Sequence, residues 1–167
     1  MSARRHERTA ARSAAVQMLY TAEIQGKPAW QLLEEGLCPE DIGPISDYAI
    51  RLVNGVESHV AELDARLADT SENWAVSRMP IVDRSILRLA AFEMLYVDEV
   101  PVSVSINEAV ELAKGFGGKD ESASFVNGVL GRIARTMGEQ VAEEAADEEL
   151  EEAFEEATSD QAEEAEA

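Results

Sequence analysis

Apolar and polar residues follow a helical period along nearly the whole chain. Apolar side chains recur at spacings of three and four, most regularly from Leu52 to Leu67, and this spacing places them on one face of an α-helix. Gly and Pro residues separate several of the periodic segments. The pattern predicts an all-α fold with helices over residues 4–25, 29–35, 45–70, 81–97, 105–117 and 122–136.

The segment 81–97 is apolar on nearly every side, which is typical of a helix at the centre of a domain. It carries Arg88 and Glu93, and a buried carboxylate needs a partner. We therefore expect a structural ion pair between Arg88 and Glu93, with an arginine of another helix as the alternative partner. In the next helix, Ser105 and Glu108 have the spacing of an N-terminal capping box, which predicts that this helix begins at Ser105.

Charge is divided unequally along the chain. The protein has 167 residues, of which 14 are basic and 34 acidic, and a net charge of −20. Residues 1–138 contain all 14 basic residues, whereas residues 139–167 contain 14 acidic residues and no basic one. Like charges at i,i+4 spacing and a lack of apolar residues oppose folding of this last segment, despite its high helix propensity. The sequence predicts a folded domain over 1–138 and a disordered or fraying acidic tail over 139–167.

The composition restricts the chemistry that the chain can perform. The single cysteine, Cys38, excludes an intramolecular disulfide and a thiolate zinc site. The sequence has no phosphate-binding glycine loop, no nucleophile–histidine–acid set and no metal-ligand pair at helical spacing. We therefore expect no catalytic residue, no metal and no cofactor. No apolar run reaches the ~18–20 residues of a membrane span, so the cytoplasm is the expected compartment.

Four arginines are concentrated at the start of the first helix. Arg4, Arg8 and Arg12 are four residues apart and so stack along one helical face, which Arg5 extends. Glu7 is the only acid among the first 12 residues. Arginine can bind phosphate through two parallel hydrogen bonds and can stack on bases. The pattern indicates a nucleic-acid-binding surface, and a solvated helix face with local ion pairs is the alternative.

The predicted helix over 122–136 combines an aromatic residue with glycines. Phe125 is followed by Asn127-Gly128, and Gly131 comes one turn later. A glycine inside a helix costs about 1 kcal/mol relative to alanine, a cost that close helix packing or a ligand near the backbone can offset. An exposed aromatic next to an amide suits unpaired RNA, whose bases stack and expose their edges. A core position for Phe125 is the alternative.

Two segments, Ser105-Ile-Asn-Glu-Ala-Val-Glu-Leu-Ala-Lys114 and Phe125-Val-Asn-Gly-Val-Leu130, resemble the NusB family of bacterial transcription antitermination factors. The resemblance covers about residues 4–137. It also includes Ala14-Ala-Val-Gln-Met-Leu-Tyr20 and Val82-Asp-Arg-Ser-Ile-Leu-Arg-Leu-Ala90. It implies a compact all-α bundle of two packed helical halves, with about six to seven helices.

The resemblance also implies a non-catalytic role in transcription. NusB-like proteins bind the boxA element of ribosomal RNA leader transcripts together with NusE, a small ribosomal protein. The complex joins RNA polymerase and suppresses premature termination. Matching positions imply a NusE-binding set of Asp83 and Glu121. They imply an RNA-binding set of Arg4, Arg5, Arg8, Arg12, Gln17, Tyr20, Ser124, Phe125, Asn127 and Gly128.

The chain departs from the family pattern in two places. Ser124 stands where some relatives have a basic residue, and the acidic segment 139–167 lies beyond the usual family core. The opposite charges of the two ends suggest that this segment competes with RNA for the arginines; a role in solubility is the alternative. NusB-like domains also occur fused to RNA cytosine methyltransferases, but we expect no such domain because the acidic segment follows residue 138. A homodimer that covers the RNA face stays open.

Overall fold

The computed structural model describes residues 2–39, 42–71, 75–117 and 120–166. In these residues the chain forms helices and no β-strand, which confirms the predicted all-α class. Along the chain it divides into two separately packed units, residues 1–133 and residues 134–167. The α-helices are α1 (Ser2–Gln25), α2 (Ala29–Glu35), α3 (Asp47–Ser58), α4 (Val60–Thr70), α5 (Ile81–Tyr96), α6 (Val102–Gly117) and α7 (Asp120–Glu166), with a 3-10 turn at Val76–Arg78.

α5 is the central helix of the first unit. It packs against α1, α3, α4 and α6. Leu89, Ala90 and Ala91 are all buried although successive residues are 100° apart around the helix axis. Its apolar composition explains this position, because a helix surrounded by others has no solvated face. Burial also extends to Asp83 and Glu93, which therefore need partners inside the protein.

The segment predicted as one helix over 45–70 is two helices, α3 and α4, separated at His59. The φ of −119° and ψ of 14° at His59 lie outside the helical range. Its Nδ1 atom is 2.8 Å from the carbonyl oxygen of Gly55, which also accepts from the His59 backbone N–H at 3.2 Å. Its ring also packs 4.3 Å from the ring of Tyr96. The apolar spacing continues across this break, so periodicity did not reveal it.

α3 and α5 come into close contact at Gly55 and Phe92. The Phe92 ring lies where a Cβ atom on residue 55 would stand. Only glycine therefore fits at position 55 without displacing the ring. Phe92 is buried, so its ring has little room to move away.

α6 begins at Val102, three residues before the predicted start. The backbone N–H groups of Val104 and Ser105 donate to the carbonyl oxygen of Pro101, so the first turn forms before Ser105. The predicted capping box is therefore wrong. Ser105 instead donates its hydroxyl to Glu93 on α5 at 2.6 Å, and Glu108 accepts from the Thr9 hydroxyl of α1. Both polar residues join helices rather than cap one.

α7 continues as a helix through residue 166. It is longer than the predicted helix over 122–136, and its helical acidic part agrees with the high helix propensity of that sequence. The side chains of residues 138–152 are exposed, including those of Val141 and Leu150. The division into a domain over 1–138 and a tail over 139–167 stays a prediction. None of the described helices is long and apolar enough to cross a membrane.

Candidate nucleic-acid interface

The four arginines of α1 lie in different environments. Arg4 and Arg5 are exposed, and the Arg8 side chain is 21% exposed. Arg12 is only 3% exposed. The helical spacing does place all four near one face, but α1 enters the core between the second and third turns. Only Arg4, Arg5 and Arg8 thus present a guanidinium to solvent.

Arg12 is the buried partner of Glu93. Its Nε atom donates to both Glu93 carboxylate oxygens, at 2.9 and 3.1 Å. The same carboxylate accepts from the hydroxyls of Ser105, at 2.6 Å, and of Tyr48. Glu93 thereby joins α1, α3, α5 and α6 in one network. Because every oxygen has donors and a guanidinium cancels the charge, a fully buried carboxylate is tolerated here.

Arg88 has a different partner from the one predicted. It forms two hydrogen bonds with the Asp64 carboxylate, at 2.7 and 2.8 Å, and lies 3.7 Å from Glu23. Arg84 also pairs with Glu23, and burial, with the neighbouring Arg88 charge, lowers the pKa of Arg84. The predicted Arg88–Glu93 pair is therefore wrong. The alternative is confirmed, because Glu93 pairs with an arginine of another helix, Arg12 of α1.

Arg8 lies on the ring of Tyr48. Its guanidinium carbon is 4.8 Å from the ring centroid, which is within the range of a cation–π contact. Its Nη2 atom is also 3.9 Å from Glu99. Burial raises the pKa of Tyr48, and the hydrogen bond to Glu93 raises it further. The ring therefore stays neutral and fixed, and it holds Arg8 at the surface in a restricted position.

A cleft of about 590 Å³ separates the start of α1 from the α5–α6 connection and the start of α6. Its basic side consists of the four α1 arginines. Its other side is formed by Glu99, Val100, Pro101, Val104, Asn107 and Glu108. A basic cleft with an apolar wall is suited to a single nucleic-acid strand, which needs phosphate contacts and surfaces for its bases.

A second candidate surface lies on the first turns of α7. Ser124, Asn127 and Gly128 are exposed, and Phe125 is half-buried. A Cβ atom placed on Gly128 or Gly131 would meet nothing within 4 Å. Close helix packing therefore does not explain these glycines. A backbone left open to a ligand, the other explanation, is compatible with this geometry.

Gln17 and Tyr20 lie further along α1, on a different side of the helix from Arg8, because successive residues are 100° apart around its axis. The Tyr20 side chain is 39% exposed, and the Gln17 amide lies 3.4 Å from the carbonyl oxygen and hydroxyl of Ser13. α1 runs antiparallel to α5, since Arg12 pairs with Glu93 and Glu23 with Arg84. The helical rise puts Tyr20 about 24 Å from Arg4 along the axis.

The two candidate partner-binding residues differ in exposure. Asp83 is 7% exposed and accepts a hydrogen bond from the Ser122 hydroxyl, which fastens the first turn of α7 to the first turn of α5. Glu121, next to Ser122, is exposed. Asp83 thus has a structural bond that the sequence did not indicate, and Glu121 is the more accessible carboxylate.

Sequence reasoning missed three residues near the α1 arginines. Tyr48 and Glu99 gave no local signal, because each reaches the arginines only through the packing of α3 and α5 against α1. Asn107 did carry a signal, since it lies in the segment with the strongest family resemblance. Among the described residues, no group of three or more His, Cys, Asp or Glu side chains could hold a metal ion.

Comparisons with known proteins agree on one family. The model of the NusB family matches residues 9–135. A transcription antitermination protein NusB from Rubrobacter xylanophilus is 51% identical over 123 residues, which are 74% of this chain and 86% of that protein. The corresponding protein of Saccharopolyspora erythraea is 44% identical over 128 residues, 76% of this chain and 86% of that protein.

Solved structures give the same result. NusB of T. maritima superposes with a TM-score of 0.66 and 32% identity, covering 77% of this chain and 90% of that one. A crystal structure of antitermination factors NusB and NusE in complex with double-stranded RNA superposes with a TM-score of 0.64 and 25% identity, covering 77% and 96%. The helical architecture, the α1 arginines and these matches together lead to one conclusion: the chain belongs to the NusB family.

Proposed function

We propose that this protein is a transcription antitermination factor that binds boxA RNA of ribosomal RNA leader transcripts together with NusE and acts on elongating RNA polymerase. Its similarity to transcription antitermination proteins over most of their length supports this role. So does its similarity to a NusB that was crystallised with NusE and RNA. The observation that carries the proposal is the row of solvent-facing arginines, Arg4, Arg5 and Arg8, beside a cleft.

The mechanism is binding without catalysis. Arg4, Arg5 and Arg8 hold phosphates, which gives affinity but no sequence information. Phe125 and Tyr20 offer aromatic surface to unpaired bases, and amides such as Asn127 can read base edges. Gln17, Ser124 and Gly128 complete the proposed RNA surface. Arg12 acts indirectly, because its guanidinium is engaged by Glu93.

NusE is proposed to bind near the joined first turns of α5 and α7, at Asp83 and Glu121. If NusE raises the affinity for RNA, then RNA must raise the affinity for NusE by the same factor, because the two ligands share one cycle of equilibria. We propose no catalytic activity and a cytoplasmic location, in line with a protein that works beside RNA polymerase.

The deciding experiment measures binding of a boxA-like single-stranded RNA and of a scrambled RNA, with and without NusE, over a salt series. We expect boxA to bind more tightly than the scrambled RNA, and NusE to strengthen that preference. Three phosphate-binding arginines predict a slope of log K against log salt of about −2, from roughly 0.7 per contact on single strands. Equal, weak binding of both RNAs that NusE leaves unchanged would refute the proposal.

A homodimer is the second candidate state, in which the arginine face is covered by another copy. Sedimentation of the free protein and of its RNA complex distinguishes the two. A dimer that dissociates when RNA is added would make the dimer a storage form of the same factor. A monomer at all concentrations would remove this alternative.

A further inference from the structure

The segment Ser105–Glu108, which carries the family resemblance, has one polar side chain without a structural role. Ser105 is buried and donates to Glu93. Glu108 accepts from Thr9 at 3.1 and 3.2 Å. Asn107, between them, is exposed and lines the cleft between α1 and α6. In the described part of the chain its amide has no hydrogen-bond partner, so both its donor and its acceptor are available.

The wall of the cleft beside Asn107 is apolar. Val104 is one helical turn before Asn107 and is 39% exposed, and Pro101 is also exposed. Both line the cleft, with Val100 buried behind them. The volume of about 590 Å³ is within the range of small-ligand sites, which combine apolar walls with a few polar groups.

The charges around the cleft favour a phosphate at its mouth. Of its two carboxylates, Glu99 pairs with Arg51 at 2.6 Å, and that hydrogen bond lowers the pKa of Glu99. Glu108 is bound by Thr9 and lies 3.8 Å from Arg12. The acids are thus occupied by internal partners.

On the opposite side, Arg4 and Arg5 are exposed and form no ion pair within the described residues. The mouth of the cleft therefore carries uncompensated positive charge. The apolar wall, the free amide and the free guanidinium groups lie around one space. They offer a nucleotide an apolar surface for its base, hydrogen bonds for the base edge and positive charge for its phosphate.

We propose that the cleft between α1 and α6 binds one unpaired RNA base, with Asn107 hydrogen-bonded to the base edge, Val104 and Pro101 against its face, and Arg4 or Arg5 on the adjoining phosphate. This inference rests on the proposed function, because it takes RNA as the ligand. It adds a base-reading site to the arginine surface and makes Asn107 a specificity-determining residue.

The test combines an abasic scan of a boxA-like RNA with substitutions in the cleft. In the native protein, removing the base that occupies the cleft is expected to weaken binding about tenfold, within the range of single-base contacts. Asn107→Ala is expected to weaken binding of intact RNA about fivefold. It is also expected to reduce the penalty of that one abasic position, because the base and the amide act as a pair. Asn54→Ala, which removes an exposed amide from α3, is the matched control and should change neither quantity.

Each outcome has a definite meaning. If Asn107→Ala changes nothing, or if its effect adds independently to every abasic position, the base site is wrong. Suppose that Arg5→Ala weakens RNA binding, and that the effects of Asn107→Ala and of each abasic position simply add. The proposed arginine surface is then supported, and only the base site is wrong. If the native protein does not prefer boxA over scrambled RNA, the proposed function itself fails. Circular dichroism of each variant checks that the helical fold is retained, as expected for an exposed side chain.

Discussion

Arg12 and Arg5 are both among the four arginines of α1, but replacing them should affect different properties. Arg12→Ala should lower the free energy of unfolding, and Arg5→Ala should weaken RNA binding. Arg12→Ala removes the guanidinium that donates to both oxygens of Glu93. Glu93 is 1% exposed, so its charge would remain buried without its cation. Breaking such a pair costs about 3–5 kcal/mol, a large part of the roughly 5–15 kcal/mol that stabilises a domain. Arg5 is exposed, and Arg5→Ala should change stability by no more than about 0.5 kcal/mol.

RNA binding should show the reverse order. Arg5→Ala removes a proposed phosphate contact, so the slope of log K against log salt should become shallower by about 0.7. Arg12→Ala should leave that slope unchanged in the fraction that is folded, because the native guanidinium already lies inside the protein.

Two measurements decide the matter: urea unfolding followed by circular dichroism, and RNA titration over a salt series under conditions where the variant is folded. Ser105→Ala is the milder companion variant, since it removes one hydrogen bond to Glu93 and keeps the ion pair. It should cost about 1.5–3 kcal/mol and remain well folded. The reasoning is refuted if Arg12→Ala is as stable as the native protein and loses about 0.7 of the slope, since Arg12 would then reach RNA.

Three further predictions concern packing, pH and the acidic segment. Gly55→Ala should destabilise the protein by ~1–3 kcal/mol because the added Cβ overlaps the Phe92 ring. The control Gly128→Ala should stabilise it by up to ~1 kcal/mol, since the space around residue 128 is open. Equal urea midpoints for the two variants would contradict this prediction. The pKa of Tyr48 is raised above 10.0 by burial and by Glu93, so its contribution to stability is present below pH 10 and is lost above it, as the unfolded phenol ionises first. Tyr48→Phe should therefore reduce the loss of unfolding free energy as the pH rises above 10. An unchanged loss in the variant would show that the pKa of Tyr48 is not raised by folding. Deleting residues 139–167 should leave RNA affinity at low salt unchanged if they serve solubility, while a gain in affinity that high salt abolishes would show competition for the arginines.

The sequence by itself determined most of the local structure. The three- and four-residue spacing of apolar side chains is a property of a single helix, so it located α1, α2, α5 and the first part of α7. The apolar character of 81–97 was enough to place that helix at the centre. The family resemblance of Ser105–Lys114 and Phe125–Leu130 identified the fold, and the matching family model confirmed it.

What the tertiary structure decided is which side chains meet. Arg8 and Arg12 have the same identity and the same helical face, yet one lies at the surface and the other in the core, because only the second is opposite Glu93 on α5. The His59 ring likewise packs on Tyr96 of α5, and Ser105 donates to Glu93 of α5, and both partners are distant in sequence. Periodicity describes a helix relative to its own axis, whereas burial and ion pairing depend on where neighbouring helices stand. That is why the sequence indicated the four arginines, and only the fold separated the three that face solvent from the one that holds the helices together.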